Sequence, residues 1–326
     1  MHATRYARVH VQAWSALSAA GDAAATWNAV ATRSSTLTLD PAWGWVGRCG
    51  GDQDALGLAV ARSLPLPPGR LALGLGTSKG SLAQHAAGCG PAWTAALPGA
   101  LSSHIARELG LGLHLPCACA AACSTGLACL LAGADLVERG IADGALVGAS
   151  EASLTPLVLA GFRNAGVLCG TQPPQAFGTP TGFAPAEGAA AFILASAGEW
   201  RLVAGVRLGD AGHETQFTDP RTLATALSAL WEALPEPDLI ACHATGTAAG
   251  DAYERGGLDQ GPWSRIPRWC AKAHIGHALG ASGAVELAAV LHGPAHRLWK
   301  LSLGFGGHLV AVALERTSRS CGNLSA

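Results

Sequence analysis

Apolar and polar positions alternate between two periods along this chain. RVHVQAW (residues 8–14) alternates with period two and predicts a first strand, and GDAAATWNAVATR predicts a helix of small residues. A turn-rich connection follows. RLALGLGTSKG is an apolar run closing in a Gly/Ser turn, which suits a buried strand, and ALPGALSSHIARELGL carries apolar residues at helical spacing. LHLPCACAAACSTGLACLLAGADLVERGI then passes from a short period-two stretch into a helix that stops at Glu138, Arg139 and Gly140. DGALVGASEAS predicts another buried strand, and AAAFILAS with EWRLVAGVRLG reads as a pair of adjacent strands.

The same order recurs further on. RTLATALSALWEAL predicts a helix, PDLIACHATGT a strand, DAYERGGL a helix, and KAHIGHALGASGAVELAAVL a turn plus helix. Two apolar strands, RLWKLSLGF and HLVAVALER, close the pattern on either side of the GFGG glycines. This alternation argues for a layered α/β architecture in two similar halves, residues 1–200 and 201–326.

Composition narrows the classes. Of 326 residues, 49% are hydrophobic and 13% charged, and the low charge excludes disorder over most of the chain. A formal net charge of −1 supplies no general field for nucleic acid or an anionic membrane. No apolar run reaches the length of a membrane span, and the start has no apolar segment with a small-residue cleavage site, so a cytoplasmic location is expected. The ten cysteines show no disulfide framework, and most read as small buried hydrophobes. Cys117, Cys119, Cys123 and Cys129 cluster without a paired CxxC or a histidine at ligand spacing, so no metal site is expected.

Three segments stand apart from a generic α/β chain. ACSTG places Cys123 at the start of a long apolar helix, where unpaired N–H groups and the helix dipole favour a thiolate, lowering the thiol pKa. By composition alone, a buried inert cysteine is the ordinary reading there. HATGT puts His243 at a strand end, with Thr245 and Thr247 in the glycine turn that follows. Such positions gather functional residues, yet a hydrogen-bonded structural histidine and helix-capping threonines fit equally. KAHIGHALGASGAVE holds Lys272, His274, His277 and Glu286, and its HxxH lacks the third ligand zinc needs, leaving a polar turn that caps an apolar helix as the plain alternative.

In this order and at these intervals, ACSTG, HATGT, KAHIGH and the GFGG of Gly304, Phe305, Gly306 and Gly307 resemble the β-ketoacyl synthase family of the thiolase superfamily, with its HGTGT and KxNIGH motifs. TGFAPAEGAA and GDAYE also resemble family segments. The resemblance implies a duplicated five-layered α-β-α-β-α fold, usually dimeric. It implies that Cys123 carries an acyl group as a thioester. His243 and His277 would stabilise the enolate formed when malonyl-carrier protein loses carbon dioxide. The backbone N–H groups of Cys123 and Phe305 would form the oxyanion hole, with Phe305 also gating the acyl pocket. Thr245, Thr247, Gly304 and Gly306 would contact substrate, and Lys272 with Glu286 would be an ion pair supporting His277. Acyl carrier protein is the implied partner, and no metal or redox cofactor is implied.

The chain departs from that pattern at His274 (family Asn), Ala244 (Gly), Leu301 (Asn) and His308–Leu309 (Thr-Asn), and its link into LSLGFGG is short. These departures raise a second reading, a noncatalytic chain-length-factor-like subunit of a ketosynthase heterodimer, against the catalytic homodimer or heterodimer. A thiolase acting on coenzyme A esters is disfavoured, because its second cysteine near the C-terminal glycine loop has no counterpart here.

Overall fold

Ten strands carry the architecture, and they fall into two sets of five. The first set is β1 (His10–Ser18), β2 (Leu71–Gly76), β3 (Leu115–Pro116), β4 (Gly144–Glu151) and β5 (Gly188–Ala195). The second is β6 (Trp200–Gly209), β7 (Leu239–Ala241), β8 (Arg268–Trp269), β9 (Arg297–Gly304) and β10 (His308–Arg316). In space they run β1-β5-β4-β2-β3 and β6-β10-β9-β7-β8. Numbered within its set, each follows the order 1-5-4-2-3, with 1–5 and 5–4 antiparallel and 4–2 and 2–3 parallel. The fold is a duplication. The computed structural model describes residues 2–81, 94 and 96–317.

The helices complete the layers. They are α1 (Ala23–Ala31), α2 (Gln53–Arg62), α3 (Ala100–Glu108), α4 (Thr125–Glu138), α5 (Pro156–Asn164), α6 (Arg221–Ala233), α7 (Ala248–Leu258), α8 (Lys272–Ile275) and α9 (Leu279–Val290). From outside to outside the order is α2 and α3, the first strand set, α4 and α9, the second set, then α6 and α7. The thiolase-like five-layered α-β-α-β-α arrangement implied by the resemblance is present. Helices α4 and α9 occupy equivalent places in the repeat, each following the third strand of its set. All twelve residues of α9 are buried, as a helix between two sheets requires. Glycine sets how closely the two middle helices approach: a Cβ on Gly126 would lie 2.6 Å from the Ala284 methyl.

Two local expectations are corrected. AAAFILAS and EWRLVAGVRLG form β5 and β6, but these do not pair with each other. They flank β1, where Val11 faces Leu194 on one side and Trp200 on the other. Their short link crosses the end of β1 at Gly198, where a Cβ would lie 2.4 Å from the Val11 carbonyl oxygen. The stretch read as turn-rich contains α2, started by the Asp52 side chain accepting the Ala55 N–H at 2.8 Å. Gly50, Gly51 and Gly57, with Pro65, Pro67 and Pro68 just beyond, obscure the apolar face of α2. Helix α5, capped by Thr155 with proline in its first turn, was likewise not marked by periodicity.

Described cysteines Cys49, Cys117, Cys119, Cys123, Cys129, Cys169, Cys242 and Cys270 are free thiols, while Cys89 and Cys321 lie outside the described residues. Among the described residues no helix is long and apolar enough to cross a membrane. Because the middle layer has no slack at Gly126, Gly126→Val is expected to cost about 1–3 kcal/mol of overpacking. Urea unfolding should read this as a lower midpoint with an unchanged m-value.

Candidate active site

Cys123 sits in the 3-10 turn Ala122–Ser124, between β3 and α4. Ala122 before it adopts φ +45°, a left-handed conformation that costs a non-glycine residue energy and must be held by its surroundings. Thr125 holds it: Oγ1 accepts the Ala121 N–H at 2.9 Å and donates to the Ala122 carbonyl at 2.7 Å. The β9–β10 hairpin clamps the other side. Ser302 Oγ donates to the Cys123 carbonyl at 3.0 Å, and Ser124 Oγ to the His308 carbonyl at 2.8 Å. Gly304 lies against this turn, where a Cβ would come within 2.6 Å of the Ala121 oxygen. The hairpin therefore approaches close enough for the Phe305 backbone to exert a downward pull on the Cys123 thiol pKa.

The expectation of a lowered thiol pKa is corrected. Burial pushes the Cys123 thiol up to about 11, against the downward pulls of Lys272, Lys79 and the Phe305 backbone. Desolvation penalises the thiolate more than nearby positive charge favours it.

His243 follows β7 and His277 lies between α8 and α9, and both are buried. Their rings meet nearly perpendicular, 83° apart with centroids separated by 5.4 Å. Phe183 packs edge-on against His277 at 5.0 Å. His277 exchanges backbone bonds with Ala184 at 2.7 Å and Ala186 at 3.0 Å, and its Nδ1 lies 2.8 Å from Ser282 Oγ. Lys272 Nζ donates to the His243 carbonyl at 2.6 Å and stands 3.4 Å from Nδ1. Burial, reinforced by Lys272, holds both imidazoles well below their ordinary pKa, so both are neutral at pH 7.

Cys123, His243 and His277 line one cavity of about 300 Å³, together with Thr245, Thr247, Gly304 and Phe305. Phe162, Phe183, Phe217 and Leu279 make its wall largely apolar. Phe305 packs edge-on against Phe162 at 6.4 Å. Thr247 has a second task, capping α7 by accepting the Gly250 N–H at 3.3 Å. Gly306 is not among the cavity's lining residues; its φ of +78° turns the hairpin. His274 is also not a lining residue, and its carbonyl accepts the Thr36 N–H at 2.9 Å.

Lys272 and Glu286 form the expected buried pair at 2.6 Å, but Lys300, which sequence reasoning missed, holds the other oxygen of Glu286 at 2.6 Å. Its signal was a single lysine within the apolar run RLWKLSLGF. Buried Glu254 was also missed as a site residue, although GDAYE contains it. Its two oxygens accept the His243 and Ala244 N–H groups, each at 2.6 Å. A further buried carboxylate, Glu151, pairs with Lys79 at 2.9 Å.

The departures from the resembled motifs have visible consequences. Ala244 adopts φ +41°, the conformation for which the family's glycine is suited. Leu301 is fully buried in β9. The hairpin tip is held by main-chain bonds, Gly306 N–H to the Glu214 carbonyl at 2.7 Å and Asp210 N–H to the Gly307 carbonyl at 3.0 Å. Among the described residues, no group of three or more His, Cys, Asp or Glu side chains could hold a metal ion.

Residues 70–199 match the family model "Beta-ketoacyl synthase, N-terminal domain", and residues 204–305 match "Beta-ketoacyl synthase, C-terminal domain". Among similar proteins, 3-oxoacyl-[acyl-carrier-protein] synthase I, chloroplastic, of Arabidopsis thaliana is 32% identical over 52% of this chain and 41% of its own length. The tetracenomycin polyketide synthase ketoacyl synthase alpha subunit of Streptomyces glaucescens is 30% identical over 51% of this chain and 45% of its own. The matched region thus spans less than half the length of these relatives. A type II PKS acyl-carrier protein in complex with its ketosynthase superposes with TM-score 0.85 at 19% identity, covering 96% of this chain and 100% of that one. The ishigamide ketosynthase/chain length factor gives 0.84 at 19% identity, covering 97% and 100%.

The raised thiol pKa has a direct kinetic signature. Below about 11 the thiolate fraction rises tenfold per pH unit, so iodoacetamide alkylation of Cys123 should accelerate log-linearly from pH 7 to 9 without levelling near the free-cysteine value of about 8.5. Peptide mass spectrometry over a pH series reads that profile.

Proposed function

The chain belongs to the beta-ketoacyl synthase family, and from that premise we propose that it is an acyltransferase performing decarboxylative Claisen condensation on Cys123, in fatty acid or polyketide chain elongation. What carries this reading is the convergence of Cys123, His243, His277 and Phe305 on one cavity.

In the first half-reaction, Cys123 sulfur attacks the thioester carbonyl of an acyl-carrier protein. Because the free thiol keeps its proton at neutral pH, that proton passes to the departing carrier thiolate as the new thioester forms. The N–H groups of Cys123 and Phe305 receive the oxyanion. In the second half-reaction, His243 and His277 each donate an N–H to the malonyl thioester oxygen. The bond to the carboxylate breaks, carbon dioxide leaves, and the electron pair is held as an enolate. The enolate carbon attacks the acyl-Cys123 carbonyl, a carbon–carbon bond forms, and the carbon–sulfur bond breaks to release Cys123 as a thiolate, which takes up a proton from solvent to return to the thiol. Neutral imidazoles suit this task, since each offers one N–H without a charge that would have to be neutralised on binding.

The apolar wall fits an acyl chain, and Thr245 with Thr247 at the cavity edge offers hydroxyls to a phosphopantetheine arm. The reaction asks for no resident cofactor, because the substrates arrive on carrier-protein thioesters and the charge that develops is met by N–H donors. The partners are an acyl carrier protein and a second subunit of the same family, identical or related.

Intact-protein mass spectrometry after mixing with an acyl-carrier protein tests the assignment. The acyl mass should appear on the wild type and be absent from Cys123→Ala, which should also abolish condensation. His277→Ala should still acylate while malonyl decarboxylation falls about 10²–10³-fold, the usual cost of losing one such donor. A wild-type protein that stays unmodified, both alone and with a related subunit, would instead point to a noncatalytic role like that of a chain-length factor.

A further inference from the structure

Beyond β7 the chain runs through Cys242, His243 and Ala244, all buried, so their main-chain polar groups need partners that are not water. Cys242 N–H reaches the Trp269 carbonyl at 2.9 Å, the last sheet-like bond. The next four groups are taken by the side chains of Lys300, Glu254 and Lys272. Lys300 donates to the Cys242 carbonyl at 2.9 Å, Glu254 accepts from the His243 and Ala244 N–H groups, and Lys272 donates to the His243 carbonyl. Glu286 joins the two lysines, one on each oxygen.

Donor counting fixes the protonation. Lys300 Nζ has three acceptors, Glu286 Oε2 at 2.6 Å, the Cys242 carbonyl at 2.9 Å and the Leu301 carbonyl at 2.8 Å. Only an ammonium has three donors to match them. Lys272 faces Glu286, the His243 carbonyl and His243 Nδ1. An ammonium can only donate, so its 3.4 Å contact with Nδ1 is favourable when Nδ1 is the unprotonated nitrogen.

We propose that Lys300 is a positioning residue for His243: by holding one oxygen of Glu286 and the Cys242 carbonyl, it aims Lys272 at Nδ1 and so keeps the imidazole proton on Nε2. The nitrogen not engaged by Lys272 is then the one left to donate to a substrate oxygen. Lys300 enters the network from β9, whereas Lys272 enters from α8, so the hairpin that carries Phe305 also orients the histidine. The groups facing His243 are Lys272, Lys300, Glu254, Glu286 and His277. Its two cationic neighbours oppose a further proton on the ring.

The tautomer is readable without any enzymatic assay, whereas the catalytic consequence rests on the function proposed above. Long-range ¹H–¹⁵N NMR of histidine-labelled protein, assigned with His243→Asn, should give the neutral Nε2–H pattern for His243, still uncharged at about pH 6. In Lys300→Met the single tautomer should be lost and the ring should titrate at higher pH. Malonyl-thioester decarboxylation should fall roughly 10–100-fold in kcat, a typical loss when a residue orienting a catalytic ligand is removed. Lys300→Arg, which keeps the cation, should retain the wild-type tautomer. A folded Lys300→Met with the wild-type His243 spectrum overturns the proposal, as does an Nδ1–H pattern in the wild type. The second criterion holds even where the variant does not fold. The expected spectrum from a wild type that never decarboxylates malonyl thioester supports the positioning role and removes the catalytic reading.

Discussion

A carboxylate at the centre of an apolar sandwich must be neutralised from within the protein, and Glu286 imposes that requirement on everything around it. It lies on a helix with no exposed face, between two sheets. An unpaired charge there would cost several kcal/mol. Lys272 and Lys300 each meet one oxygen at 2.6 Å, and each gives a further donor to a carbonyl where the His243 strand leaves the sheet. Neutralising one buried charge thus holds the backbone that presents the His243 imidazole. Replacing such a network by hydrocarbon often stabilises a protein, so the role we propose for it is orientation.

Duplication explains why the parts meet. Each five-strand set sends a helix into the middle layer after its third strand. One helix begins at the Cys123 turn, and the other follows directly after His277. Their contact at Gly126 and Ala284 brings the two helix starts together. The β9–β10 hairpin completes the site from the second set, with Gly304 allowing it to press on the nucleophile turn. Small residues at these contacts follow from the geometry, because any larger side chain would separate groups that must share one cavity.

The same burial that makes the histidines neutral keeps Cys123 protonated, so one environment has opposite consequences for two kinds of side chain. In the condensation we propose, neutral imidazoles are the useful form for donating to an enolate, whereas the thiol's proton must leave during attack. Lys79, paired with Glu151 nearby, is one of the charges that pull the thiol down. Two strained residues, Ala122 and Ala244, border Cys123 and His243, which is where stored backbone strain is characteristically tolerated.

Periodicity by itself determined the alternation of strands and helices, the repetition of that order, and the nucleophile helix, because those signals repeat every two or 3.6 residues within one segment. Four short motifs determined which cysteine and which two histidines to compare. Strand pairing was not legible in the same way: AAAFILAS and EWRLVAGVRLG look like neighbours, and only the crossing at Gly198 places β1 between them. The pKa of Cys123 was misread because a helix start is a local feature, while burial comes from the hairpin folded over it. Lys300 reads in sequence as one lysine in an apolar strand, and its partner is 14 residues away on another element. Local periodicity records what a segment does with its own backbone, but the balance of charge and desolvation depends on distant segments meeting, and that was decided only when the two halves closed on one another.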